Sequence, residues 1–171
     1  MHDLDGGSIT LDGVARAAGL TKPGLMYHFP TREALLLAIV DHAAAQLELA
    51  LTDVLGKPVA AASPAERIRA YIEVAADGTT TRAEYAIFTE AAYRPELTEP
   101  WTQRMSAWFD LPPDLDPELR VNLQAARLAA DGLWAAQATG VFPPDAAERD
   151  AVVGLLLALT TAPPRTESTN R

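Results

Sequence analysis

The stretch Thr10–Phe29, TLDGVARAAGLTKPGLMYHF, decides the fold. It reads as two short helices joined by a tight turn. Thr10 suits the N-cap of the first helix, whose apolar face carries Leu11, Val14, Ala15 and Ala18. Gly19 stands where a left-handed residue would end that helix. Thr21 can cap a second helix, and Pro23 fits its first turn, where the N–H that proline lacks would have no partner anyway. Two helices so short and so cleanly punctuated predict a helix-turn-helix, the unit whose second helix enters the DNA major groove.

Extending the stretch on both sides adds more. The run ITLDGVARAAGLTKPGLMYHFPTREALLLAIV, residues 9–40, resembles the DNA-binding segment of TetR-family transcriptional regulators. The cues are T-x-x-x-V-A at the start, A-G-L-T-K at the turn, L-M-Y-H-F in the second helix and T-R-E-A-L-L opening a third. Beyond residue 45 the likeness is one of general character. The resemblance implies an all-α fold, with a helix-turn-helix head over residues 1–45 and a helical ligand-binding and dimerisation domain over 46–161. Residues 162–171, polar and proline-containing, are expected to be a disordered tail.

The resemblance also implies a helix ahead of the motif. The nine residues before Thr10 hold a glycine pair and two acids and fall short of an amphipathic helix. The head is therefore expected to be incomplete, lacking its first helix, with the apolar faces of Val14, Leu25 and Leu36 short of a covering partner and DNA binding weakened.

Composition agrees with a helical protein. Of 171 residues, 49% are hydrophobic, with alanine and leucine dominant and β-branched and aromatic residues sparse. No cysteine is present, which excludes disulfides and thiolate metal sites. His2, His28 and His42 are too scattered for a metal site, and no nucleophile elbow, phosphate loop or dinucleotide fingerprint occurs, so neither a metal, a cofactor nor an enzyme is expected. No signal peptide or membrane span is read, and a cytoplasmic location follows by default. The net charge of −9 is unevenly spread. Residues 10–32 hold Arg16, Lys22 and Arg32 against Asp12, whereas residues 34–171 hold 11 basic against 19 acidic side chains. An acidic body behind a mildly basic head repels DNA except where the head meets it.

Further along, Thr31 caps a long helix from about Arg32 to Leu55, and Ser63-Pro64-Ala65-Glu66 is a capping box opening a helix over about 64–76. Helices are expected from Thr81 to Tyr93, from Glu99 or Pro100 to Phe109, from Pro117 to Thr139 closed by Gly140, and from Asp145 to Thr161. The run Ala151–Leu159 is apolar on every side, which a helix tolerates only when covered on most faces. Pairing of the last two helices, about 117–139 and 145–161, with those of a second copy would cover it, and the resemblance implies the same homodimer. The alternative is a helix buried in the monomer core.

The candidate DNA contacts are Thr10, Thr21, Lys22, Gly24, Leu25, Tyr27, His28 and Arg32. Lys22 suits guanine or phosphate, His28 can donate to either, and Gly24 allows close backbone approach. Thr10, Thr21 and Arg32 stand at helix N-termini, which favour anions, although the threonines can be caps alone. Tyr27 matches a position where the family sets a tyrosine hydroxyl on phosphate. Leu25, Met26 and Phe29 include the inward face of the second helix.

The aromatic set Tyr71, Phe88, Trp101, Met105, Trp108 and Trp134, with Tyr85 and Phe109 nearby, could line a pocket for a small apolar or amphipathic effector, or could be ordinary core. Arg127 and Asp131 are spaced for an i,i+4 surface pair or for the polar end of such a pocket.

Taken together, these readings lead to a TetR-like, ligand-responsive repressor acting as a homodimer on a pseudo-palindromic double-stranded DNA operator. The alternative is a dimeric small-molecule-binding regulatory protein that has lost DNA binding.

Overall fold

A computed structural model describes residues 10–78 and 82–161. Among them are eight α-helices and no strand: α1 (Leu11–Ala17), α2 (Lys22–His28), α3 (Arg32–Leu55), α4 (Pro64–Ala76), α5 (Arg82–Ala92), α6 (Pro95–Phe109), α7 (Pro117–Thr139) and α8 (Ala146–Leu159). A 3-10 turn, Val59–Ala61, lies between α3 and α4. The expected all-α architecture is the one observed. The expected tail, 162–171, lies outside the described residues.

Local chemistry sets most of the ends. Thr10 Oγ1 accepts from Gly13 N at 3.1 Å, and Thr21 Oγ1 accepts from Gly24 N at 3.2 Å. Each satisfies one of the donors that a helix start leaves open. Between these caps the chain reverses at Gly19, φ +67. Leu20 N donates to Ala15 O and Gly19 N to Arg16 O, the paired bonds of a Schellman turn, which needs the left-handed conformation that glycine adopts at no steric cost. Ser63 with Glu66 and Asp145 with Glu148 form reciprocal capping boxes at α4 and α8. Asp116 caps α7, and Gly140, φ 72, closes it.

One boundary differs from the sequence reading. Pro100 marks an expected start, yet α6 begins at Pro95 and carries Pro100 in its second turn. The proline removes only one backbone bond there. Leu97, almost wholly buried between Leu36, Val40 and Ala91, holds the preceding turn helical. Tertiary burial, worth roughly 1.5–3 kcal/mol for a leucine, outweighs the local signal.

The helices form two compact units. The first contains α1, α2, α3 as far as Leu49, α5, and α6 as far as Ser106. Its core has two parts. Ala15, Leu25 and Leu35 pack with Leu11, Val14, Phe29 and Ile39. Leu36, Val40, Ala91 and Leu97 pack with Val14, Ile87 and Trp101. The expectation that Leu25 and Leu36 lack cover is thereby corrected. Both are buried, Leu25 by α1 and α3 and Leu36 by α5 and α6.

The second unit contains the end of α3, α4, the last turn of α6, α7 and α8. Ile68, Ile72 and Ala75 of α4 interlock with Leu123, Ala126 and Ala130 of α7 and Leu156 of α8. Small alanines on α7 let α4 approach closely while the isoleucines fill the space between.

By length and composition α3 is apolar enough to cross a membrane, which the sequence reading did not register. Its apolar positions Leu35, Leu36, Val40 and Ala44 are nevertheless buried against protein, and Asp41 and Glu48 on it pair with Arg104 of α6.

Candidate nucleic-acid interface and body pocket

The first unit presents α2 on an anchored base. Leu25, only 3% exposed, points into the core with Ala15 and Leu35, and Phe29 closes the helix beside it. Holding that face inward turns the opposite one out. Lys22, Tyr27 and His28 are all exposed, Tyr27 at 85%, with its ring edge-on to His28 at 5.2 Å between centroids. Thr10 and Thr21 are exposed and both serve as caps. Arg32 is half-buried at the start of α3.

Two sequence assignments change. The Leu25 side chain cannot reach a DNA base from the core, so its part is to position α2. Met26, grouped with the inward face, is 40% exposed and lies outside it. Gly24 is constrained locally, since a Cβ there would sit 3.2 Å from Thr21 Oγ1 and crowd the cap. One contact was not foreseen from the sequence. Lys22 Nζ donates to Asp12 Oδ2 at 2.9 Å, tying the start of α2 to the first turn of α1.

The expected aromatic set is divided between the two units. Phe88 and Trp101 meet edge to face at 5.7 Å in the first unit. Tyr71 and Trp134 pack against the core of the second. Met105 and Trp108 are almost fully buried, and the Trp108 indole nitrogen has no hydrogen-bond partner among the described residues.

Within the second unit a pocket of about 530 Å³ is lined by other residues, among them Ile68, Phe109, Leu111, Arg120, Leu123 and Arg127. Arg127 Nη1 donates to Asp131 Oδ2 at 2.8 Å, and the Tyr71 hydroxyl donates to Asp131 Oδ1 at 2.5 Å. The Arg127 guanidinium stands 5.8 Å from the centre of the Phe109 ring, and Tyr71 meets that ring edge-on at 4.9 Å. Burial raises the Asp131 carboxyl above its ordinary value, opposed by Tyr71 and Arg127. Burial and the adjacent carboxylate push the Tyr71 phenol up, so it stays a donor.

The pocket's outer wall is stapled by two arginines. Arg67 donates to the carbonyls of Ala107 and, at 3.0 Å, Asp110. Arg120 donates to the carbonyl of Pro112. These bonds satisfy carbonyls in the last turn of α6 and just beyond it that no helix partner reaches.

Comparison with known proteins agrees with this arrangement. Residues 65–161 match the family described as tetracyclin repressor-like, C-terminal domain, and residues 7–39 match bacterial regulatory proteins of the tetR family. The HTH-type transcriptional regulator EthR of two Mycobacterium tuberculosis strains and that of Mycobacterium bovis are each 31% identical over 58 residues. That match takes in 34% of this chain and 27% of the relatives' own length. With the helix-turn-helix match at one end and more than half its length matched by the C-terminal domain, the chain belongs to the TetR family of bacterial transcriptional regulators, a family of regulators rather than enzymes.

Proposed function

We propose that this protein is a cytoplasmic, homodimeric repressor that binds a pseudo-palindromic operator through α2 and leaves it when a small molecule occupies its body. The observation that carries the DNA-binding part is the division of α2 into two faces. Leu25 and Phe29 lock one into the core, and Lys22, Tyr27 and His28 project from the other. A lysine, a phenol and an imidazole on one exposed helical face can contact base edges and phosphates. Two copies double what a single weakly basic head offers.

The dimer rests on α7 and α8. Val121, Gln124, Ala125, Leu128, Ala129 and Gly132 recur at three- and four-residue spacing and form one exposed stripe on α7. Ala151, Val152, Leu155 and Ala158 form another on α8. Gly132 and Gly154 have open space where a side chain would be, which lets a second backbone approach closely. Burying two such stripes against their symmetry mates makes a four-helix interface.

Regulation follows from differential affinity, since a ligand that prefers one separation of the two heads shifts the dimer towards it. A gel shift with DNA flanking the protein's own gene tests the proposal. A specific shift with operator-length DNA is expected. Its absence at low salt, from a folded dimer, refutes DNA binding and leaves a small-molecule-binding regulatory protein.

A further inference from the structure

We infer that the pocket of the second unit takes a small amphipathic monocarboxylate, held at its head by Arg120 and along its body by Phe109, Leu111, Leu123 and Ile68. The inference rests on the reading of this unit as the effector-binding body and goes further in naming the ligand's chemistry.

The charges around the pocket can be paired off. Arg127 is answered by Asp131 at 2.8 Å. Burial lowers the Arg67 guanidinium, and Asp110, the carboxylate in the lining, opposes that by its charge. Arg120 is left. It donates to a neutral carbonyl, that of Pro112, and no carboxylate pairs with it among the described residues. An unanswered guanidinium at a half-buried wall, in a chain of net charge −9, is unusual in a protein with so many acids to spare. Its planar fork offers donors beyond the one used on Pro112, and a carboxylate is the anion that such a fork matches in two-point geometry. Arg127 spends Nη1 on Asp131 and keeps donors that can share the same head.

The rest of the lining sets the body. Ile68 and Leu123, almost wholly buried, form an apolar floor, with Leu111 and the Phe109 ring beside them. A volume of about 530 Å³ lies within the range of small-molecule sites. One negative charge suits the site better than two, because Asp110 stands in the same lining and would repel a second.

The test is calorimetric titration of the whole protein with phenylbutyrate and decanoate, each set against the alcohol of the same skeleton. Both carboxylates are expected to bind, each about tenfold or more tighter than its alcohol, as a charge-assisted hydrogen bond predicts. Arg120→Gln should remove that preference. Because it also loosens the staple on Pro112, Asp110→Asn is measured beside it. Asp110 is exposed in the lining and lies outside the α7 and α8 stripes, and removing its charge should tighten the acids about threefold or more by relieving repulsion while changing the alcohols little.

Equal affinity for acid and alcohol, no response of the acids to Asp110→Asn, or no binding of either acid tighter than about 1 mM overturns the inference. The gel shift is scored separately. A wild-type protein that shifts DNA but binds neither acid leaves the regulator and removes the carboxylate. One that binds acids with no effect on the shift keeps the carboxylate and removes ligand response.

Discussion

Asp12→Asn should tighten DNA binding. In the free protein Lys22 Nζ sits 2.9 Å from Asp12 Oδ2, with the two side chains 50% and 62% exposed. For Lys22 to meet a phosphate or a guanine it must leave this carboxylate, and the carboxylate then lies close to the DNA backbone. Exposed pairs of this kind are worth about 0.2–1 kcal/mol each, because solvent screens them and two flexible side chains must be ordered. The proposed dimer carries the pair twice, so freeing both lysines contributes about 0.4–2 kcal/mol, or about two- to thirtyfold in affinity.

Salt dependence supplies a second signature. A lysine that trades a carboxylate for a phosphate releases less counterion than one coming from water. The slope of log K against log salt should therefore steepen in the variant by up to about 2 across the dimer. Fluorescence anisotropy with an operator duplex over a salt series measures both quantities. Asp12 also sits in the first turn of α1, where a carboxylate favours the helix, so the variant should lose about 0.3–1 kcal/mol of stability while gaining affinity. Lys22→Met should remove the part of the Asp12→Asn effect that runs through the lysine, closing a double-mutant cycle. If Asp12→Asn binds more weakly, or leaves the salt slope unchanged, Asp12 orients Lys22 instead of competing with DNA for it.

Other perturbations follow from the same geometry. Leu155→Glu places a charge in the exposed α8 stripe, where Leu155 is 63% exposed, and sedimentation should show loss of the dimer with the helical spectrum intact. Glu66 is held at about 2 instead of 4.5, first by its hydrogen bond to Lys57 and then by those to Ser63. A depressed folded value stabilises above the unfolded one. The stability gap between wild type and Glu66→Gln, read from urea melts, should therefore be full near neutrality and close as pH falls from about 4.5 to about 2. Ile72→Ala, in the wholly buried centre of the second unit, should cost about 2–5 kcal/mol in chemical denaturation. Tyr71→Phe leaves Asp131 without its phenol partner and should cost about 1–3 kcal/mol by the same assay.

Much of the helical framework was legible because its signals are local. Thr10, Thr21, Ser63, Asp116 and Asp145 act within three residues of themselves, and Gly19 and Gly140 announce a left-handed turn in place. The start of α6 was hidden because the burial of Leu97 depends on residues from α3 and α5, which Pro100 cannot signal. The motif identified which helix faces outward, but Leu25 needed the packing of α1 and α3 to be assigned inward. The pair Arg127–Asp131 is readable from its spacing. The third member, Tyr71, comes from 60 residues away, and Arg67 reaches its carbonyls over 40 and 43 residues. Aromatic composition suggested a pocket of tryptophans, yet large rings serve a core equally well, and the observed pocket is edged by arginines whose long side chains carry no periodic signature.

The turn at Gly19 bears on the stereochemistry that this head would accept. Its φ of +67 mirrors the right-handed helical region, and a Cβ built there meets nothing within 4 Å. An L-residue is disfavoured by its own backbone and not by its neighbours. A D-alanine placed there by chemical ligation would have its preferred backbone already in the native geometry. It would narrow the unfolded ensemble while leaving the folded one untouched, with a gain of about 0.4–1 kcal/mol. The hand of a single α-carbon would then separate backbone conformation from side-chain contact as the reason glycine stands between α1 and α2.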